Sequence, residues 1–230
     1  MKKYLFEGIV IFSSVLLSLY MGNLNQLASN IDKKNSYIED LIKTINDDIH
    51  QIESLLETLY QSEEKISSLQ NDIDQQHQLL KDKEVIKQLI GIEVGFSFFP
   101  KDGVYNQMIS TGSFELIENN DLKNNLLEMY NHQKARNYAT SLEIDNFNLM
   151  FRSVPYQNFR IRFDYNLLNG EFYGKRQLTQ YTFNSEFYLS DHFYGLLSQA
   201  KLYSNMYKRQ LSDILKTYKQ TELLLKQEIL

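Results

Sequence analysis

Branched aliphatics recur at every seventh position through the first third of the chain: Leu24, Ile31, Ile38, Ile45, Ile52, Leu59, Ile66, Ile73 and Leu80. No Gly or Pro lies between Gly22 and Gly91. Sevenfold spacing returns to one helix face, so the pattern predicts a long amphipathic stalk helix over 23–90. At 1.5 Å rise per residue such a helix is about 100 Å long. A second seam carries Leu27, Leu41, Leu55 and Leu69, alternating with Lys34, Asp48, Ser62 and Gln76. That alternation weakens a simple two-stranded pairing. Ile42, Ile49 and Leu56 widen the stripe, which suits packing against more than one neighbour. Burying the main seam would contribute roughly 15–25 kcal/mol gross, at about 1.5–3 kcal/mol per side chain. In water it contributes nothing, so the stripe needs a partner.

One candidate lies in the chain itself. Over 190–230 the helical pattern returns, with Leu197, Leu211, Tyr218 and Leu225 at one core position and Ala200, Tyr207 and Ile214 at the other. Ser190 is a suitable N-cap, and Asp191 suits the first turn. A helix of this length, about 55–60 Å, folding back antiparallel covers roughly half of the stalk. The alternative is a homo-oligomer or a membrane-protein partner docked along the stalk.

Upstream of the stalk, Lys2 and Lys3 precede an apolar run from Tyr4 to Met21, interrupted by Glu7 and three serines. Eighteen residues reach about 27 Å, enough for a bilayer core. A cleaved signal peptide shares the charged start, but no small-x-small cleavage site follows. Val10 and Leu17 extend the heptad backwards from Leu24, so one helix fits both anchor and stalk. Lys2 and Lys3 stand before the span, and Lys33 and Lys34 come well after it. The positive-inside rule then places the N-terminus in the cytoplasm and the bulk of the chain in the periplasm of an inner membrane. Glu7, Ser14 and Ser18 share a face with Ile11 and form a candidate helix contact within the membrane.

Between stalk and return helix, residues 91–189 hold most aromatics and both prolines, and read as a distal head. A helix is expected from about Val104 to Thr111, stopping at Gly112. A second is expected from Asn120 or Asp121 to about Arg152, closed by Pro155. Phe159, Ile161, Phe163 and Tyr165 alternate with Arg160, Arg162 and Asp164. That period predicts a strand, hairpinned with Leu178–Phe183 around Asn169–Gly170. The fold class is thus mainly α: an anchor over 1–22, a coiled-coil-like stalk, a helical head with a short hairpin, and a return helix.

Composition narrows the function. The 230 residues carry net charge −5 with a pI near 5.5, against the basic footprint of nucleic-acid binding. There is no cysteine, which removes disulfides, thiolate metal sites and thiol nucleophiles. His50 and His77 fall on the stalk, and His132 and His192 are solitary, without metal spacing. Gly170-x-x-x-Gly174-Lys175-Arg176 departs from the phosphate-loop spacing. Ser113 beside Gly112 lacks the glycines of a nucleophile elbow. The strongest candidate site is basic. Arg136, Arg152, Arg160, Arg162 and Arg176 are interleaved with Tyr156, Tyr165 and Tyr173. Guanidinium forks take carboxylate or phosphate, so Arg152, Arg160, Arg162, Tyr165 and Arg176 form a candidate anion site. The competing reading pairs these arginines with Asp145, Asp164 and Glu171 on a solvated face.

A family pattern also emerges. Tyr105-x-x-Met108-x-x-x-Gly112-x-x-x-Leu116-Ile117-x-Asn119-x-x-Leu122-x-x-x-Leu126-x-x-x-Tyr130 follows a span and a long helix. Phe193 and Leu196-Leu197 open a terminal helix that ends Leu224-Leu225-Lys226-Gln227-Glu228-Ile229-Leu230. Over nearly its whole length the chain resembles a domain-of-unknown-function family of single-pass membrane proteins common in Bacteroidota. Glu7-Gly8-Ile9-Val10 matches that family's acidic–apolar entry to the span, while its Trp after the span is absent here. The resemblance implies an envelope protein and transfers no activity or catalytic residues. The expected function is a non-enzymatic, membrane-anchored scaffold or accessory subunit without cofactor. The alternative is a periplasmic sensor-like module for a small anion, signalling through a partner.

Overall fold

The computed structural model describes residues 2–166 and 175–229. Helix α1 (Lys2–Asp74) is followed by α2 (Asp82–Ile90), α3 (Gly103–Ser110), a 3-10 turn (Ser113–Leu116) and α4 (Asn120–Leu127). A wide π turn (Glu128–Gln133) joins α4 to α5 (Lys134–Asn158). The antiparallel hairpin β1 (Arg160–Asn166) and β2 (Lys175–Thr182) comes next, then the short α6 (Ser185–Tyr188) and the return helix α7 (Asp191–Glu228). The expected turn at Asn169–Gly170 lies outside the described residues, as do Glu171, Tyr173 and Gly174.

The stripe on α1 finds its partner within the chain. Ile38, Ile45, Ile52, Leu59, Ile66 and Ile73 are buried. Helix α7 runs antiparallel along α1, capped by Ser190, whose hydroxyl accepts the Phe193 N–H. Cross-contacts record the register. Lys34 pairs with Glu228 at 3.0 Å and Glu53 with Lys219 at 2.7 Å, and Glu63 meets Lys208. Further along, Ser67 meets Lys201 and Asp74 meets Tyr194. As the α1 number climbs, its partner on α7 descends. Leu24 and Ile31 lie beyond this cover and stay exposed, at 42 % and 41 %.

The segment expected to form a distal head instead flanks the stalk. Tyr105, Met108, Phe114, Leu122, Leu126 and Tyr130 share one core with Ile38–Leu59 and with Tyr207–Leu225 of α7. A second core joins Ile66–Ile73 to α2, to Phe147, Phe151 and Phe159, and to Tyr188 and Phe193. This explains the widened stripe: Ile49 and Leu56 are buried on the flank that α7 alone would leave open.

Two expected boundaries move. The stalk helix ends at Asp74, not Ile90, although no Gly or Pro stops it. Gln76 and His77 take left-handed backbone (φ 53° and 59°), and the buried Asp72 carboxylate accepts the N–H groups of Leu79 and Leu80 at 2.9 Å. A side chain thus replaces the carbonyl ladder at this stop. The second boundary is Pro155, which lies inside the last turn of α5 and does not close it. The proline forfeits one backbone bond, to the Phe151 carbonyl, but its own carbonyl still accepts the Phe159 N–H at 2.7 Å, so the last turn closes.

Residues 92–101 form an extended strap through the core that pairs with no strand among the described residues. Buried backbone polar groups need partners, and helix side chains supply them. Ser62 accepts the Glu93 N–H, Asn148 accepts from Val94, Tyr207 from Phe98 and Asp48 from Lys101. Asn137 donates to the Phe98 carbonyl and Asn148 to that of Gly95. The polar residues of the second seam, Asp48 and Ser62, are therefore strap anchors. A Cβ at Gly95 would stand 2.7 Å from Ile144 Cγ2 and 3.0 Å from Tyr207 Cδ1. Gly95→Ala is expected to destabilise the fold by about 1–3 kcal/mol through overpacking. A lowered urea midpoint checks this, with Gly103→Ala, which meets nothing within 4 Å, leaving the midpoint undiminished.

Candidate functional site

The arginines divide between two faces. In an antiparallel pair, side chains alternate between faces. Ile161 and Phe163 of β1 are half-buried, whereas Arg160, Arg162 and Asp164 alternate with them and are exposed. Arg176 of β2 pairs with Tyr165 across the ladder, on the Ile161–Phe163 face. Arg136 is exposed far back on α5. Asp145 accepts a hydrogen bond from the Ser97 hydroxyl of the strap.

Arg152 and Arg176 do come together. Arg152, near the end of α5, and Arg176 each place an Nη2 on Glu93 of the strap, one at Oε2 and the other at Oε1. The side chains are 27 %, 20 % and 11 % exposed, in the order Arg152, Arg176, Glu93. Arg152 also stacks over the Phe96 ring at 5.5 Å. The cluster pins the hairpin to the body through the strap. Beside it, Lys65 of α1 donates to the Gly91 carbonyl at 2.8 Å. Burial first, and then the positive charge of Arg176, hold the Lys65 ammonium below its ordinary range, against the opposing charge of Glu64. Two guanidiniums thus share one carboxylate at a partly desolvated site.

The two arginines line a narrow groove between α2, α5 and β2 whose open space is about 10 Å³, room for no more than about one water. Its walls include Leu89, Ile90, Phe151 and Pro155, with Tyr156 beside them. Sequence reading missed Glu93 and Lys65. Glu93 carried a signal: it is the one charge in an otherwise apolar run after Gly91.

A second polar cluster sits where α1 ends. His77 Nδ1 stands 2.7 Å from Asp72 Oδ2, and Nε2 stands 2.9 Å from Asp82 Oδ1. Tyr188 donates to the same Asp72 oxygen at 2.8 Å, and Phe183 stacks on the imidazole. Burial pushes the imidazolium down, but the bonds and charges of Asp82 and Asp72 outweigh it and raise His77 above its ordinary value. Asp72 is lowered: burial opposes this, and bonds from His77, Tyr188, Leu80 and Leu79 prevail. The arrangement is a turn lock that holds the break after α1. Among the described residues no three His, Asp or Glu side chains are placed to hold a metal ion.

The N-terminal part of α1 is bare. An 18-residue window in Phe6–Asp74 has mean hydropathy 1.4 and no buried residue, so this helix is long and apolar enough to cross a membrane. Glu7, Ser14 and Ser18 are exposed, and the Ser14 hydroxyl donates to the Val10 carbonyl of its own helix. No protein-family model, curated protein or solved structure matches the chain.

Proposed function

We propose that this chain is a non-enzymatic scaffold or accessory subunit anchored by one helix in a bacterial inner membrane, with its body in the periplasm. One observation carries this reading. The apolar part of α1 is wholly uncovered, while the same helix, from Ile38 on, is buried in a self-contained body. An uncovered apolar helix of that length is stable in lipid and unfavourable in water. The stretch between span and body, with exposed Leu24, Leu27 and Ile31, is where a membrane partner would dock. The orientation rests on Lys2 and Lys3 before the span.

The absence of cysteine provides the test. A Leu142→Cys variant places one thiol on the exposed face of α5. The protein is expected to stay with membranes in alkaline carbonate, and the thiol to react with an impermeant maleimide in spheroplasts. Release by carbonate would refute the anchor. Labelling only after the membrane is broken would reverse the orientation.

A further inference from the structure

We infer that the proton on His77 Nε2 fastens the start of α2 to the end of α1, and that loss of this proton releases α2. The inference goes beyond the scaffold reading and does not rest on it. Hydrogen-bond geometry fixes which proton matters. Asp72 takes four donors: the N–H groups of Leu79 and Leu80 at Oδ1, and His77 Nδ1 and the Tyr188 hydroxyl at Oδ2. A carboxylate so surrounded is ionised and can only accept. Nδ1 therefore carries a hydrogen and donates it to Asp72. Nε2 faces a second carboxylate, Asp82 Oδ1, at 2.9 Å. That contact is a hydrogen bond only when Nε2 is protonated as well, so the ring is an imidazolium. In the neutral ring the Nδ1 hydrogen stays on Asp72, and the Nε2 lone pair meets the Asp82 oxygen. Two acceptors then face each other, and Asp82, half exposed, turns to water.

The position of Asp82 makes this contact matter for α2. Asp82 is the first residue of the helix, and Lys81 before it supplies no side-chain cap. The imidazole is held in place from other elements. It stacks on Phe183, just after β2, with centroids 4.9 Å apart, and lies edge-on to Tyr188 of α6 at 5.0 Å. An aromatic face favours the cation over the neutral ring. The groups that set the charge are Asp72 of α1 and Asp82 of α2; the Tyr188 hydroxyl bonds Asp72, and Phe183 is uncharged. Burial opposes the cation, but the two carboxylates outweigh it and raise His77 above its ordinary 6.5. The folded state thus binds this proton more tightly than the unfolded chain. The fastening is complete below about pH 6.5 and fades as pH rises through the raised value. With 14 % of its side chain exposed, His77 can trade the proton with solvent.

The test uses the full chain in nanodiscs with nitrogen-labelled histidine. By imidazole NMR, His77 is expected to titrate above 6.5, with Nε2 losing its hydrogen and Nδ1 keeping it. Hydrogen exchange gives the mechanical readout. The Glu84 and Val85 N–H groups both bond to the Lys81 carbonyl in the first turn of α2. Their protection, corrected for the intrinsic rate, is expected to fall at least about threefold from about pH 6 to 9, while Leu79 and Leu80 keep theirs on Asp72. Asp82→Asn presents Nε2 with an acceptor or a donor as the ring requires, so it removes the pH dependence in α2. His77→Asn, which suits left-handed backbone, removes it too and assigns the His77 signal by its loss. If one variant fails to fold, the other decides. Titration of His77 at or below 6.5, a neutral ring with its hydrogen on Nε2, protection of α2 that ignores pH, Leu79 and Leu80 losing protection in step with α2, or an undiminished fall in a folded variant would each overturn the inference.

Discussion

Replacing Ile45 with aspartate is expected to abolish the tertiary structure of the body, whereas Leu24→Asp is expected to leave it intact. Both residues occupy the same seam. Ile45 is fully buried against the core shared with α7, and Leu24 is 42 % exposed. An aspartate at position 45 loses the apolar burial and adds an unpaired buried charge, together more than about 4 kcal/mol. Whole domains are stable by about 5–15 kcal/mol. An exposed substitution lies within about 0.5 kcal/mol. The chain has no Trp, so near-ultraviolet circular dichroism reports its packed tyrosines, among them the buried Tyr105, Tyr130, Tyr188, Tyr207 and Tyr218. Their signal is expected to vanish in the first variant and persist in the second. Ile45→Cys gives a milder version of the test: its thiol stays shielded and forms no disulfide between copies, since α7 occupies the space where a second stalk would stand. A disulfide requires Cα atoms about 5.5–6 Å apart. A covalent dimer through position 45, or a body unharmed by Ile45→Asp, would refute intramolecular cover.

The heptad made the long helix and its need for a partner legible, because sevenfold spacing translates directly into one face. It did not identify the partner. A return helix and a second copy ask for the same apolar stripe. What distinguishes them are the pairs Lys34–Glu228, Glu53–Lys219 and Glu63–Lys208, whose members lie far apart in sequence. The end of α1 was hidden for a related reason. Leu80 keeps the sevenfold spacing and is partly buried, yet it belongs to the segment after the break. The stop is made by Asp72 reaching forward to Leu79 and Leu80, and Tyr188, far away in sequence, helps to hold it. Likewise Asp48 and Ser62 look like interruptions of a seam until the strap that they anchor is in place.

At the candidate site, arginine density was legible and its partition was not. Period-two alternation already separates Arg160 and Arg162 from Ile161 and Phe163. Placing Arg176 with Arg152 depends on how the hairpin leans on α2 and α5. Glu93 receives its role only when the strap brings it between two residues more than 50 positions away. Tyr165 pairs with Arg176 as a strand neighbour, so one member of the expected tyrosine set stays near the cluster.

Asp48→Asn is expected to stabilise the protein by about 1–3 kcal/mol at pH 7.5, although it removes a charged group that anchors the strap. Asp48 is fully buried, and Oδ2 accepts the Lys101 N–H at 3.1 Å. The buried Tyr218 hydroxyl bears on the same carboxyl, and the buried Tyr130 hydroxyl lies close enough to feel its charge. Burial dominates and pushes the Asp48 carboxyl from 3.8 up to about 6, against the Lys101 backbone bond and the Lys101 charge. The folded state therefore binds this proton more tightly than the unfolded chain. The contribution is fully present below about pH 3.8, falls as pH rises to about 6, and above that leaves a penalty of about 3 kcal/mol. Asparagine keeps an acceptor for the Lys101 N–H, carries no charge, and offers an amide to the tyrosine oxygens. Urea midpoints of both proteins between pH 4 and 7.5 check the sign. The advantage of the variant is expected to grow from pH 4 to 6 and then level off. Comparing the two proteins at each pH removes the share of His77 and Asp72, which both retain. Parallel curves, or a variant less stable at every pH, would show that the charge on Asp48 is held favourably in the core.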